Sequence, residues 1–221
     1  MLKTAISTVA LTVAILYPSA SVVAKEGDIL LRVRAIAVVP NDDSGSILPA
    51  FSGEGVSIDT AFAPEVDITY MVADNVGLEL IAATTKHTAS GETGVTGGIG
   101  ELASTWVLPP TLTLQYHFAP EAKVRPYIGA GVNYTLFYSE KADANLEAAV
   151  GDTDVNLSSS FGFALQAGID IQLNDRMFMN FDAKYIDMDT KARLSTANAG
   201  VQRVDIDINP FVFGVGIGFK L

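Results

Sequence analysis

The chain has 221 residues and a formal net charge of −11 at pH 7, with 25 acidic residues against 14 basic ones. This balance argues against a nucleic-acid partner, because phosphates are recognised by clusters of Lys and Arg. The sequence has no cysteine, which excludes a disulfide framework and thiolate chemistry.

The first 24 residues predict a secretory signal peptide. Lys3 gives a positive start, Ala5 to Leu16 is an uncharged and mostly apolar run, and Val22-Val23-Ala24 offers a cleavage site. The apolar run is too short to cross about 30 Å of hydrocarbon as a helix. A buried N-terminal helix is the alternative. We predict a signal peptide over 1–24 and an outer-membrane β-barrel over 25–221.

After residue 24, apolar and polar residues alternate with a period of two, which indicates β-strands. Turn residues divide the chain into eight segments: 28–39, 58–72, 76–87, 105–118, 125–139, 159–173, 177–191 and 203–220. Tight turns alternate with longer stretches rich in Gly, Ser, Asp, Thr and Ala: 40–57, 89–104, 141–157 and 192–202. This layout predicts an all-β fold, an eight-stranded antiparallel transmembrane β-barrel with short periplasmic turns and long extracellular loops.

The alternation also predicts which face of each strand meets lipid. In the last segment Phe211, Phe213 and Val215 alternate with Gly214 and Gly216. Large apolar side chains line one face of nearly every segment, and together they are too bulky for an eight-stranded interior. We therefore expect the apolar face to contact outer-membrane lipid, and the inward glycines to allow close packing in the lumen. A secreted lipocalin-like barrel is the structural alternative.

Several stretches of the mature chain resemble the OmpW family of outer-membrane proteins. They are Gly27 to Arg34, Asp74 to Thr84, Leu108 to Phe118, Arg125 to Thr135, Lys184 to Asp187 and Pro210 to Gly218. The resemblance implies a narrow hydrophobic channel and a role in the uptake of small hydrophobic molecules. It also implies location in a Gram-negative outer membrane, and such barrels need the barrel-assembly machinery during biogenesis. The chain departs from the usual aromatic C-terminus by ending Phe219-Lys220-Leu221.

The inward residues form two predicted zones. Those near the periplasmic end are charged and of both signs, so they should pair into a polar plug that blocks free water flow. The plug residues are Arg32, Arg34, Glu65, Asp67, Glu79, Asp170, Asp182 and Lys184. Those nearer the long loops are apolar and predict a ligand cavity: Ile36, Val38, Ile81, Val107, Pro109, Ile186, Met188, Val204, Ile206 and Ile208. A filled apolar core that merely holds the strands together is the alternative.

A plug below an apolar cavity leaves a ligand no straight path, so we expect it to leave sideways into the bilayer. Pro64, Pro109 and Pro110 each lack a backbone donor and could mark weak strand pairing there. Bulges that only shape the barrel are the alternative explanation of these prolines.

Nothing in the sequence predicts catalysis, a metal site or a cofactor. His87 and His117 lie at opposite ends of their segments, and no nucleophile or phosphate-binding motif occurs. The leading hypothesis is a passive conduit for small hydrophobic molecules. The alternatives are a structural or adhesive barrel, whose loops contact partners, and a narrow ion channel.

Overall fold

The computed structural model describes residues 24–221, so the predicted signal peptide, apart from Ala24, lies outside the described residues. Fifteen strands and two short helices follow in chain order: β1 Ile29–Val39, β2 Asp43–Ser44, β3 Val56–Ile58, β4 Ala61–Ala73, β5 Val76–Ala83, β6 Thr85–Gly91, α1 Gly94–Ile99, β7 Glu101–Leu108, β8 Thr111–His117, β9 Val124–Ala142, α2 Ala144–Val150, β10 Thr153–Leu157, β11 Ser160–Gln172, β12 Met177–Ile186, β13 Asp189–Thr196, β14 Gly200–Asp207 and β15 Phe211–Lys220. No helix in this part of the chain is both long and apolar enough to span a bilayer.

Eight of these strands close into one antiparallel barrel. Around the wall they follow the order β1, β4, β5, β8, β9, β11, β12 and β15, and β15 pairs again with β1. The connections between β4 and β5, β8 and β9, and β11 and β12 are short, as the sequence predicts. The predicted eight-stranded barrel is confirmed.

The outer surface of the barrel is apolar. Phe161 is 70% exposed, and Leu165, Phe213 and Leu114 are each at least half exposed. A surface this apolar belongs in hydrocarbon rather than in water. Inside, glycine makes room for bulky neighbours, because a Cβ at Gly218 would lie 2.1 Å from the Phe178 Cζ atom. Both the lipid-facing surface and the close lumen packing therefore follow the sequence prediction.

The strands extend further into the long stretches than the sequence segments do: β6 reaches Gly91, β7 begins at Glu101, β13 reaches Thr196 and β14 begins at Gly200. Four barrel strands each have a second strand above them, separated by a short break. Strand β6 follows β5, β7 precedes β8, β13 follows β12, and β14 precedes β15. The breaks fall at Thr84, at Pro109-Pro110, at 187–188 and at 208–210. A proline cannot donate to a strand ladder, which accounts for two of the breaks. The small and polar residues at the upper ends of these second strands predict turns by composition, yet these residues pair as strands in the structure.

Above the breaks the wall divides into two sheets. One contains β3, β6, β7 and the upper part of β9, and the other contains β10, β13, β14 and β2. Residues of both sheets line one apolar space. The upper lumen is therefore enclosed by paired strands rather than by mobile loops.

Candidate ligand cavity and the polar plug beneath it

All eight predicted plug residues are buried, and they form one connected network in the lower lumen. Arg32 lies at its centre. The Arg32 Nη1 atom is 3.1 Å from Asp67 Oδ1, and the Arg32 Nη2 atom is 3.0 Å from Asp170 Oδ2. Nη1 also donates to Thr69 Oγ1 at 2.7 Å and lies 3.5 Å from Glu79 Oε1. One guanidinium thus contacts three carboxylates that come from three different strands.

Arg34 and Lys184 form the upper layer of the plug. The Arg34 Nε atom lies 2.8 Å from Glu65 Oε1, and its Nη2 atom contacts Asp67 Oδ2. The Lys184 Nζ atom lies 2.9 Å from Glu65 Oε1 and 2.7 Å from Asp182 Oδ1. The network therefore joins β1, β4 and β12 across the lumen.

Sequence analysis missed three members of the plug. Tyr127 donates its hydroxyl to Asp182 Oδ2 at 2.8 Å, and Asn180 donates to Asp170 Oδ1 at 2.8 Å. Arg125 is buried as well, with its guanidinium 5.1 Å from the centre of the Phe178 ring. The alternation along 125–139 and 177–191 places all three on inward positions, so the signal was present in the sequence.

The plug contains nearly equal numbers of opposite charges. Its buried groups include five carboxylates (Glu65, Asp67, Glu79, Asp170 and Asp182) and four basic groups (Arg32, Arg34, Arg125 and Lys184). Isolated charges in such a buried interior would cost several kcal/mol each, whereas a connected and hydrogen-bonded network offsets much of this cost.

An apolar cavity lies directly above the plug, and all ten residues predicted for the ligand cavity line it. It leaves about 130 Å³ for the centres of water-sized molecules, whereas a single water needs only about 10–15 Å³ by that measure. Whether a ligand occupies this space, or the apolar residues only form a core that holds the strands together, stays a prediction.

The extracellular segments supply lining residues that sequence analysis missed. Ile47 and Phe51 come from the predicted loop 40–57, and Leu146 and Val150 come from α2. Leu146 and Val150 are four residues apart, a spacing that marks one face of a helix and could have revealed α2. Ile47 and Phe51 carry no such periodic signal.

The segment 41–55, called the lid here, is fixed to α1 by Glu54. The Glu54 carboxylate accepts hydrogen bonds from the backbone N–H of Thr96 at 2.7 Å and of Val95 at 3.0 Å. These bonds favour the ionised form and lower the pKa of Glu54. Since the lid carries Ile47 and Phe51, the Glu54 contact holds part of the cavity lining in place.

We expect this contact to weaken in acid and on substitution. Because the pKa of Glu54 is lowered in the folded state, the contact is fully present above its ordinary pKa and is lost as pH falls through the lowered value. Hydrogen exchange should show faster exchange of the Val95 and Thr96 amides at low pH, and at neutral pH in Glu54→Gln. The exposed Glu101→Gln provides the control, and unchanged exchange in Glu54→Gln would contradict the assignment.

The strand ladder of the barrel wall is interrupted beside the cavity, and this interruption is called the side window here. Strands β4 and β5 pair up to Glu65 opposite Ala83, and β3 and β6 resume pairing at Ile58 opposite Ala89. Within the described chain, the ladder pairs no residue of 60–64 with any of 84–87. The Asp59 N–H donates to the Thr88 carbonyl at 3.1 Å and bounds the window above.

All three predicted weak points lie near the β5–β6 junction, next to the window. Pro64 borders the window on β4, while Pro109 and Pro110 lie at the break on the other side of Thr84. The Thr84 hydroxyl spans that break and donates to the Val107 carbonyl at 3.2 Å. Pro109 also lines the cavity. The three prolines therefore surround one interrupted region of the wall.

Comparison with known proteins agrees with this architecture. The sequence matches the OmpW family over residues 25–221. It is 37% identical over 198 residues to outer membrane protein W of Vibrio cholerae serotype O1, covering 89% of each chain. The dibenzothiophene metabolism operon protein PahQ of Pseudomonas aeruginosa is 30% identical over 154 residues, 69% of this chain and 68% of that protein.

A solved structure shares the fold. The crystal structure of the outer membrane protein OprG from Pseudomonas aeruginosa superposes with a TM-score of 0.85 at 33% identity, covering 91% of this chain and 99% of that one. The resemblance drawn from the sequence is thus confirmed across the barrel. The chain belongs to the OmpW family and is an outer-membrane β-barrel.

Proposed function

We propose that this barrel takes up small hydrophobic molecules passively through a narrow hydrophobic channel. The observation that supports the proposal is the cavity above the plug, whose walls combine apolar residues from both upper sheets. Apolar molecules gain about 25 cal/mol for each Å² of surface that they remove from water. The cavity would therefore concentrate such molecules at the outer surface of the cell.

The plug directs the exit route. An apolar molecule moving straight down would have to displace a network of buried ion pairs, whose separation would leave several charges without partners. The side window offers another route, since no ladder hydrogen bond has to break between 60–64 and 84–87. Lateral release through this window into the bilayer follows from the two features together.

The name of one relative agrees with this class of substrate. PahQ is named for an operon of dibenzothiophene metabolism, and dibenzothiophene is a flat, apolar, aromatic molecule. For the present chain this supports apolar compounds as a class and does not select one of them.

Substituting the cavity wall tests the proposal. Ile81 is 3% exposed and lines the cavity, so Ile81→Asp places a polar group where an apolar ligand would lie. We expect dodecane to bind the barrel in lipid nanodiscs about tenfold more weakly, the change that corresponds to about 1.4 kcal/mol. Shifts of the methyl NMR signals of Ile36 and Ile206, which also line the cavity, report binding.

The control is Ala122→Asp, which introduces the same side chain at an exposed position in the short turn between β8 and β9, at the opposite end of the barrel from the cavity. It should leave dodecane binding unchanged. If dodecane causes no saturable shift of the inward methyl signals in the parent barrel, the upper lumen is a structural core. The result would then favour a structural or adhesive barrel.

A further inference from the structure

We propose that the floor of the cavity selects uncharged amphipathic molecules, such as long-chain alcohols, over carboxylates of the same chain length. This inference rests on the proposed function, because it assigns a ligand class to the same cavity. Among the described residues that line the cavity, Glu65 and Lys184 are the only Asp, Glu, Lys or Arg side chains.

These two residues lie at the boundary between the plug and the cavity. Glu65 precedes Asp67 on the inward face of β4, and Lys184 precedes Ile186 on the inward face of β12. Each is 3% exposed. Their polar groups thus meet the cavity at its lower end, in a buried environment where hydrogen bonds and charge interactions are strong.

The pair keeps hydrogen-bonding capacity for a ligand. The Lys184 ammonium has three donors, and two of them are directed at Glu65 Oε1 and Asp182 Oδ1. In the described chain, both ionic contacts of Glu65, from Arg34 and from Lys184, involve Oε1. The third ammonium donor and the second carboxylate oxygen therefore offer one donor and one acceptor next to each other.

A hydroxyl group matches this pair, because it donates one proton and accepts on its oxygen. Its chain would extend upward along Ile36, Ile81 and Ile186, which line the cavity above the floor. An alkane of the same length would fill the same space but leave the donor and the acceptor without a partner, at a cost in binding free energy.

A carboxylate head fits the floor poorly. The plug already holds five carboxylates against four basic groups, so it has no surplus positive charge to offer. A further anion would lie beside Glu65 in a medium that screens like charges weakly. Lys184 does not compensate, since Glu65 and Asp182 already neutralise it at 2.9 and 2.7 Å.

The test compares dodecanol, dodecane and dodecanoate as ligands of the barrel in lipid nanodiscs. Methyl NMR signals of inward Ile36 and Ile81 report the cavity, and those of outward Ile68 and Ile217 report ligand dissolved in the bilayer. We expect dodecanol to reach half-saturation of the inward signals at about tenfold lower concentration than the other two, the effect of one hydrogen bond to a charged group.

The double variant Glu65→Leu/Lys184→Met removes one charge of each sign from the floor. It should erase the preference for dodecanol while dodecane still binds. The matched control is Lys191→Met/Asp205→Leu, which removes an exposed pair 3.9 Å apart on the upper sheet. If the floor variant does not fold, the single variant Glu65→Gln replaces it, and dodecanoate should then bind more tightly than it binds the parent.

The outcomes separate the two proposals. Equal binding of all three ligands, or tightest binding of dodecanoate, overturns the head-group selection and leaves the hydrophobic cavity standing. Failure of both dodecane and dodecanol to shift the inward signals overturns the proposed function itself. A preference for dodecanol that survives in the floor variant overturns the roles of Glu65 and Lys184.

Discussion

Bridging the side window with a covalent link should reduce uptake of dodecane by cells at least about tenfold, because the remaining downward path crosses buried ion pairs. Glu65 opposite Ala83 is the last pair of the β4–β5 ladder. Continuing that register upward places Ala63 opposite Thr85, on the two sides of the window. The chain has no cysteine, so Ala63→Cys/Thr85→Cys can be joined selectively by a short bifunctional maleimide.

The same treatment of a continuous part of the wall provides the control. Ala167 and Ala183 lie opposite each other in the unbroken β11–β12 ladder, on the outer surface. Joining cysteines there should leave uptake unchanged. Binding of dodecane to the cavity should persist in both bridged barrels, which separates release from capture. Full uptake through a bridged window would assign the exit to another part of the wall, such as the break at Pro109-Pro110.

The sequence contains the barrel and its two lumen zones because both depend on strict alternation. Once Phe211 and Phe213 are assigned to lipid, every second residue must face inward, and the charged inward positions then fall together near the short turns. Arg32, Asp67 and Asp170 lie on three separate strands, yet their inward positions at similar heights predict contact. The alternation thus predicts that inward charges of both signs pair, while the structure identifies which residues do so.

The upper ends of the strands and the segments between them were less predictable, because apolar and polar residues do not alternate regularly there. Thr, Ser, Ala and Gly over 89–104 suggest turns by composition, but here 89–90 pairs with 101–103 across β6 and β7, and Gly94–Ile99 forms α1. Tertiary pairing overrides the weak local preference of these residues. The lid was missed for a similar reason. Ile47 and Phe51 are isolated apolar residues in a polar stretch, and only the folded chain brings them over the cavity.

The plug needs charged inward residues and the cavity needs apolar ones, within one narrow barrel. A single layer of residues, Glu65 and Lys184, separates the two zones. Asp182, Lys184 and Ile186 follow one another on the inward face of β12, so the lumen changes from ionic to apolar within five residues. A barrel without the plug would provide an open polar path, and one without the cavity would provide no place for an apolar ligand. In the proposed function, Glu65 and Lys184 are therefore the residues that both select the ligand and close the lumen below it.

Removing the charge of Arg32 should destabilise the barrel strongly. Arg32 is fully buried and contacts Asp67, Glu79 and Asp170. Arg32→Met leaves these carboxylates without their shared cation, and breaking a buried ion pair from one side costs about 3–5 kcal/mol. Urea unfolding of the barrel in lipid vesicles measures the loss in free energy of unfolding.

Two further variants identify charge as the cause. Arg193→Met removes an exposed arginine from β13 and should change the free energy of unfolding by less than about 0.5 kcal/mol. Adding Asp170→Asn to Arg32→Met neutralises one of the carboxylates that lost Arg32 as a partner. The double variant should therefore be more stable than Arg32→Met alone. A loss near 1 kcal/mol in Arg32→Met, with no gain in the double variant, would mean that the carboxylates around Arg32 are already protonated. The plug would then be a hydrogen-bonded filling rather than an ionic one, and its resistance to an apolar ligand would come from packing instead of charge.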